Sequence, residues 1–149
     1  MAINQKCQYA LRAIFELAKR GSDEPCKIGA IAEAQGIPVR FLENILSSLK
    51  SGGFAASSRG KDGGYVLAKP ASEITVGEVI RFVQGPLAPV ECADGGSELC
   101  AFSNDCVFHP LWEKAKRALE QVYDGTTFAD LVEEQKRRAP FCAGCGKRQ

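Results

Sequence analysis

The sequence predicts a mainly α-helical fold carrying one small β-hairpin. Three observations predict it. Apolar residues recur at helical spacing through most of the chain. One stretch, 54–68, instead reads as two short strands around a glycine-rich turn. Glycine and proline at 21, 36–38, 52–53, 85–86 and 125 divide the chain into short segments. At 149 residues the chain is about one domain, or one small domain with an appended arm. Its 45% hydrophobic and 25% charged residues are ordinary for a globular protein and exclude a disordered one. No apolar run approaches the ~20 residues that cross a bilayer, so no membrane partner is expected.

The elements follow in order. A first helix spans 5–20, with Tyr9, Ala10, Ile14, Leu17 and Ala18 on one face and Arg12, Glu16, Lys19 and Arg20 largely opposite. A short second helix spans 27–34, and Gly36-Ile37-Pro38 turns the chain. A third helix spans 39–50, with Phe41, Leu42, Ile45, Leu46 and Leu49 as its buried stripe. Helix, glycine-containing turn and helix is a helix-turn-helix outline, a weak signal alone. The hairpin strengthens it: strand 54–58, the turn Arg59-Gly60-Lys61-Asp62-Gly63-Gly64, then strand 65–68. A hairpin directly after a helix-turn-helix is a wing. Arg59 and Lys61 at its tip suit a phosphate or a narrow minor groove, where an ordinary hairpin would only solvate them.

Beyond a linker at 69–72, Thr75 and Glu78 form a capping-box pattern that opens a helix to about 83. Residues 91–109 read as a loop. Pro110 then opens a helix through about 123 whose stripe is Leu111, Trp112, Ala115, Leu119 and Val122. A helix this apolar on one face needs a partner, either the wing domain or a second copy of itself. Thr126 or Thr127 caps a last helix over 128–136, and 137–149 is expected to be a loose, cysteine-containing tail.

Charge is unevenly placed. Residues 1–90 hold eleven Lys or Arg against eight Asp or Glu, and residues 91–149 hold eight against ten. No Lys or Arg lies between Arg81 and Lys114. Nucleic-acid binding, if any, belongs to the first ninety residues. The segment 1–6 lacks a signal peptide's apolar stretch, so a cytoplasmic location is expected. In that compartment seven cysteines argue for metal or redox chemistry over disulfides. Cys7 and Cys26 stand alone and read as packing or surface thiols.

The clustered cysteines are spaced Cys92-x7-Cys100-x5-Cys106-x2-His109, and His109 is the chain's single histidine. Three thiolates and an imidazole make a complete four-ligand set for zinc or an iron–sulfur cluster. The spacing comes within one residue of that of a class of RNA-binding zinc fingers. Glu91, Asp94, Glu98 and Asp105 make the loop acidic, however, and acidity repels RNA.

Tyr9-Ala10, Phe41-Leu42-Glu43, Arg59-Gly60-x-x-Gly63-Gly64-Tyr65-x-Leu67, Ile74-Thr75-Val76-Gly77-Glu78-Val79-Ile80 and Gly85-Pro86 carry a family resemblance. Over about residues 1–135 the chain resembles the IscR/NsrR/RirA family of bacterial regulators, and the wing motif is the most specific match. The resemblance implies a winged helix-turn-helix domain (1–84), a cluster-binding loop (85–109), a long C-terminal dimerisation helix with a short helix after it (110–136) and the tail (137–149). It implies a cytoplasmic, homodimeric transcriptional regulator, expected to repress, that binds a double-stranded DNA operator. Trp112, Leu119 and Val122 would meet the second copy. The third helix would enter the major groove with Arg40, Glu43 and Asn44 toward base edges, and Arg59 and Lys61 would serve the wing.

Cys92, Cys100, Cys106 and His109 would hold an iron–sulfur cluster. Cys106-x2-His109 resembles the IscR pattern, whose histidine ligates a 2Fe–2S cluster, and this type is favoured. The longer Cys92–Cys100 interval looks more like RirA, whose cluster is 4Fe–4S. A nitric-oxide-sensing relative uses an acid where this chain has Gln8, which argues against that subtype. The alternative is a zinc-stabilised or thiol-redox regulator without a cluster. Cys142-x-x-Cys145 lies outside the family pattern and is a disulfide switch, a second metal site or functionless. An enzyme is poorly supported: there is one histidine, no paired acid and base and no nucleotide-binding fingerprint.

Overall fold

The computed structural model describes residues 2–95, 100–102 and 105–138. Helix α1 (Gln5–Arg20) starts where the Asn4 side chain accepts a hydrogen bond from the Cys7 amide at 2.8 Å. Lys19 and Arg20 occupy its last turn, where cations suit the helix dipole. Its inner face is Cys7, Ala10, Ala13, Ile14 and Leu17, all buried. Helices α2 (Ile28–Gln35) and α3 (Val39–Ser51) follow, joined at Gly36, whose left-handed φ of 63° a side chain would resist. Leu42, Ile45, Leu46 and Leu49 bury the inner face of α3.

Two side chains depart from the sequence expectation. Phe41 is 48% exposed, because the buried row runs through 42, 45, 46 and 49 and leaves 41 at its edge. Glu16, expected on the solvent side of α1, is 1% exposed. It is held by Arg20 Nε at 2.8 Å, Gln35 Nε2 at 2.8 Å and Lys19 Nζ at 3.2 Å. Burial pushes its carboxyl pKa up, but hydrogen bonds from Gln35, Arg20 and Lys19 outweigh this and hold it below the ordinary carboxylate range.

The wing is an antiparallel pair, β1 (Ala55–Ser58) and β2 (Gly64–Leu67), with Ala55 opposite Leu67 and Ser58 opposite Gly64. It is not free-standing. Cys26 and Tyr65 exchange backbone hydrogen bonds of 2.9 and 2.8 Å, so the α1–α2 connection adds a one-residue rung beside β2. A Cβ on Gly64 would lie 2.5 Å from the Cys26 carbonyl oxygen, so this approach requires glycine.

Helix α4 (Val76–Gln84) begins with the expected capping box between Thr75 and Glu78. Helix α6 (Phe128–Arg138) begins with the same device: Thr127 Oγ1 accepts from the Asp130 amide, and Asp130 Oδ2 accepts from the Thr127 amide. The two starts are paired. The Val76 amide donates to Thr126 at 2.9 Å and the Phe128 amide to Ile74 at 3.0 Å. Ile74 and Phe128 are fully buried there. α6 runs through Arg138, so residues 137 and 138 are helix rather than tail.

Helix α5 (His109–Asp124) starts one residue before the expected Pro110, which takes His109 out of the loop. None of its residues is buried. Its far end is tied to α4 by two hydrogen bonds from Arg81 to Asp124, 2.6 and 2.7 Å, lying over Gly77. Both side chains are about two-fifths exposed, so the pair orients more than it stabilises. Among the described residues no helix is long and apolar enough to cross a membrane. Cys142 and Cys145 lie outside the described residues.

Replacing Glu16 with alanine is expected to lower unfolding stability by about 2 kcal/mol, the scale of a hydrogen-bonded charge. Urea denaturation of both chains measures it. Because the folded-state pKa is depressed, the carboxylate's contribution is present above the unfolded value and lost as pH falls through the folded one. The gap between wild type and variant should therefore narrow below about pH 4.

Candidate functional site

The exposed side of α3 carries Arg40, Glu43 and Asn44, three and four residues apart and so on one face. All three are exposed, opposite the buried row. The Arg40 guanidinium lies 5.3 Å from the centre of the Phe41 ring, which keeps that cation at the surface. A groove of about 350 Å³ runs beside this face, lined by Gln5, Lys6, Tyr9, Phe41, Asn44 and Ile45. Helical periodicity sets Tyr9 on the core face of α1 and assigns no role to Gln5 or Lys6. Their meeting with Asn44 depends on how α1 crosses α3, which local periodicity does not encode.

The wing tip carries Arg59 and Lys61, both exposed, and neither makes an ion pair among the described residues. Gly60, at φ 113°, makes the turn between them. Lys50 Nζ donates to Ser57 Oγ at 2.7 Å, fastening the end of α3 to β1. At the base of the wing the Phe54 ring packs on Phe82 at 5.3 Å. The wing cations are thus presented by a hairpin braced on both sides.

The second region is the cysteine segment. Cys92 lies in a single 3-10 turn, Glu91–Asp94, and is half-buried, as are Cys100, Cys106 and His109. The His109 amide donates to the Cys106 carbonyl at 3.2 Å, which sets those two residues side by side as α5 begins. Lys116 Nζ reaches back from α5 to the Ala93 carbonyl at 3.1 Å and Asp94 Oδ1 at 3.3 Å. As a donor set, three thiols and an imidazole fit an iron–sulfur cluster or zinc. Among the described residues, no three Cys, His, Asp or Glu side chains converge into a metal-holding group. Cys7 and Cys26 differ in kind. Both are buried, and burial raises both thiol pKa values, which keeps them protonated and inert.

Large apolar side chains stand exposed among the carboxylates of this segment. Phe102, Val107, Phe108 and Leu111 are exposed, and Phe108 stacks on Trp112 with ring centres 6.1 Å apart. Trp112 and Leu119 are half-buried and Val122 is 61% exposed. Their seven- and three-residue spacing sets these three along one side of α5.

A family model described as iron-dependent transcriptional regulator, Rrf2, matches residues 3–134. The chain belongs to the Rrf2 family. It is 36% identical over 135 residues to the HTH-type transcriptional regulator IscR of Yersinia pseudotuberculosis, covering 91% of this chain and 81% of that one. Among solved structures, the global cysteine regulator CymR of B. subtilis superposes with a TM-score of 0.76 at 32% identity, covering 90% of this chain and 98% of CymR. IscR of T. potens superposes with a TM-score of 0.75 at 31% identity, covering 91% and 88%. The chain is thus a transcriptional regulator with the winged-helix fold that its sequence predicts. The resemblance drawn from the wing motif holds.

Gly64→Ala should force the Cys26–Tyr65 rung apart. The expected loss is about 1–3 kcal/mol, the usual cost of overpacking. Amide exchange at Cys26 and Tyr65 should accelerate, while exchange within α4 and α6 stays as in the wild type.

Proposed function

We propose that this Rrf2 chain is a cytoplasmic, DNA-binding repressor that acts as a homodimer on a double-stranded DNA operator under the control of an iron–sulfur cluster. The observation that supports DNA binding best is the outer face of α3. Arg40, Glu43 and Asn44 are exposed together, and the two exposed wing cations, Arg59 and Lys61, extend the same half of the chain. Arg40 suits guanine, Asn44 suits adenine, and Glu43 accepts from cytosine or excludes other bases. Arg59 and Lys61 are long cations on a narrow tip, suited to the minor groove and its phosphates.

Cys92, Cys100, Cys106 and His109 are assigned as cluster ligands, with 2Fe–2S favoured by the histidine and 4Fe–4S by the long first interval. The cluster would supply a ligation state that responds to iron and oxidants. The chain's part is mechanical. The ligand-bearing segment leads into α5, and the exposed side of α5, with Trp112, Leu119 and Val122, is assigned to the partner copy. A change in how that segment is held would alter the spacing of two α3 helices, and half-site fit depends on that spacing.

The likeness to CymR, a cysteine regulator by its description, favours a second reading in which the thiols act without a cluster. Anaerobic purification with iron, acid-labile sulfide and zinc analysis separates the cases. Equal iron and sulfide support the cluster. Zinc without sulfide makes the segment a structural site, and neither metal leaves the thiol reading.

Arg40→Ala and Asn44→Ala are each expected to cost about 1–3 kcal/mol of operator affinity and to relax preference at one base position. Lys61→Ala should weaken binding to all DNA alike and reduce the salt slope by about one. Binding isotherms at several salt concentrations, on operator and random duplexes, distinguish the two behaviours. Cys92→Ala should remove iron while the variant elutes at the wild-type size. Unchanged iron content would overturn its assignment as a ligand.

A further inference from the structure

The stretch between Arg81 and Lys114 contains no cation of its own, yet it carries Glu91, Asp94 and the three clustered cysteines. The fold brings one back. The Lys116 side chain is only 21% exposed, and its ammonium is shared between the Ala93 carbonyl at 3.1 Å and Asp94 Oδ1 at 3.3 Å. Those two residues directly follow Cys92 in the same 3-10 turn, and Ala93 is buried there. A backbone carbonyl and a carboxylate held by one half-buried ammonium make a pin, stronger than either contact between neutral groups. No other side chain of α5 makes a hydrogen bond or ion pair to this turn among the described residues.

We propose that Lys116 is a positioning residue for the cysteine segment: it pins the Cys92 turn onto α5 and supplies the positive charge that the acidic segment lacks. The inference rests on the cluster reading above and adds to it a residue outside the four assigned ligands. It also gives the segment a mechanical connection. The Cys92 turn and the helix whose exposed side is assigned to the partner copy move together while the pin holds. A cation held on the Cys92 turn, at the carbonyl of the next residue, would favour the more negative of two cluster oxidation states, since a nearby positive charge stabilises negative charge.

The test compares Lys116→Met, Lys116→Arg and wild type as full chains. Methionine keeps the stem and removes the charge, and arginine keeps the charge. In the metal-free chain, amide exchange across 91–95 should be several-fold faster in Lys116→Met than in wild type and near wild type in Lys116→Arg. In the anaerobically loaded chain, Lys116→Met should release iron to a chelator several-fold faster. In a dithionite titration its one-electron reduction equilibrium should shift several-fold toward the oxidised form, with Lys116→Arg again near wild type. A role in packing alone would speed exchange without moving the reduction equilibrium. A loaded wild type whose properties Lys116→Met leaves unchanged overturns the role of Lys116 and leaves the cluster reading standing. A wild type that takes up no iron and sulfide overturns the cluster reading, and the positioning role toward it falls with it.

Discussion

The burial of α1 is the constraint on which the molecule rests. Its inner face is made of small or slender residues, Cys7, Ala10, Ala13, Ile14 and Leu17, with essentially no exposed surface. Alanines at 10 and 13 let neighbouring elements approach closely. α2, α3, α4, α6 and β2 all pack against this one helix. The winged helix-turn-helix and helices α4 and α6 therefore share one core. The Glu16 carboxylate completes the arrangement from the other side. It joins α1 to Gln35 at the end of α2 and so sets where the turn toward α3 begins.

Much of this was legible. The helical stripes of α1 and α3, the capping box at Thr75 and the glycine-rich turn between two short strands are local signals, and each element lies within one or two residues of its expected place. What was not legible depends on distant partners. Glu16 reads as a surface charge by periodicity, because its shell includes Gln35, nineteen residues away. The rung between Cys26 and Tyr65 joins residues whose local sequence says nothing of each other. Phe41 fits a helical stripe as well as Leu42 does, and only the packing of α3 decides which one is buried.

The candidate site divides in the same way. Arg40, Glu43 and Asn44 could be set on one face from spacing alone, because a helix fixes the geometry of residues three and four apart. The groove beside them could not, since Gln5, Lys6 and Tyr9 come from α1. For the cysteine segment the sequence supplies ligand chemistry, and the fold supplies its surroundings: the helix that begins at His109, the ammonium of Lys116 and the exposed rings of Phe102 and Phe108. Core thiols and segment thiols are the same residue type, sorted by burial into inert and available groups.

The paired starts of α4 and α6 carry one more implication. Thr75 and Thr127 sit across from each other, and Arg81 of α4 holds Asp124 at the end of α5, so the chain that leaves α4 returns beside the same helix. In polymer terms this is a closed excursion anchored at its neck. Lengthening such an excursion costs little, since each doubling of a flexible loop adds only about 0.6 kcal/mol of closure entropy. Insertions and deletions beyond the buried Leu87 and Ala93, between Asp94 and His109, can therefore accumulate over evolutionary time without disturbing α1 or the wing. A scaffold built this way can try different cysteine intervals while its winged helix stays the same.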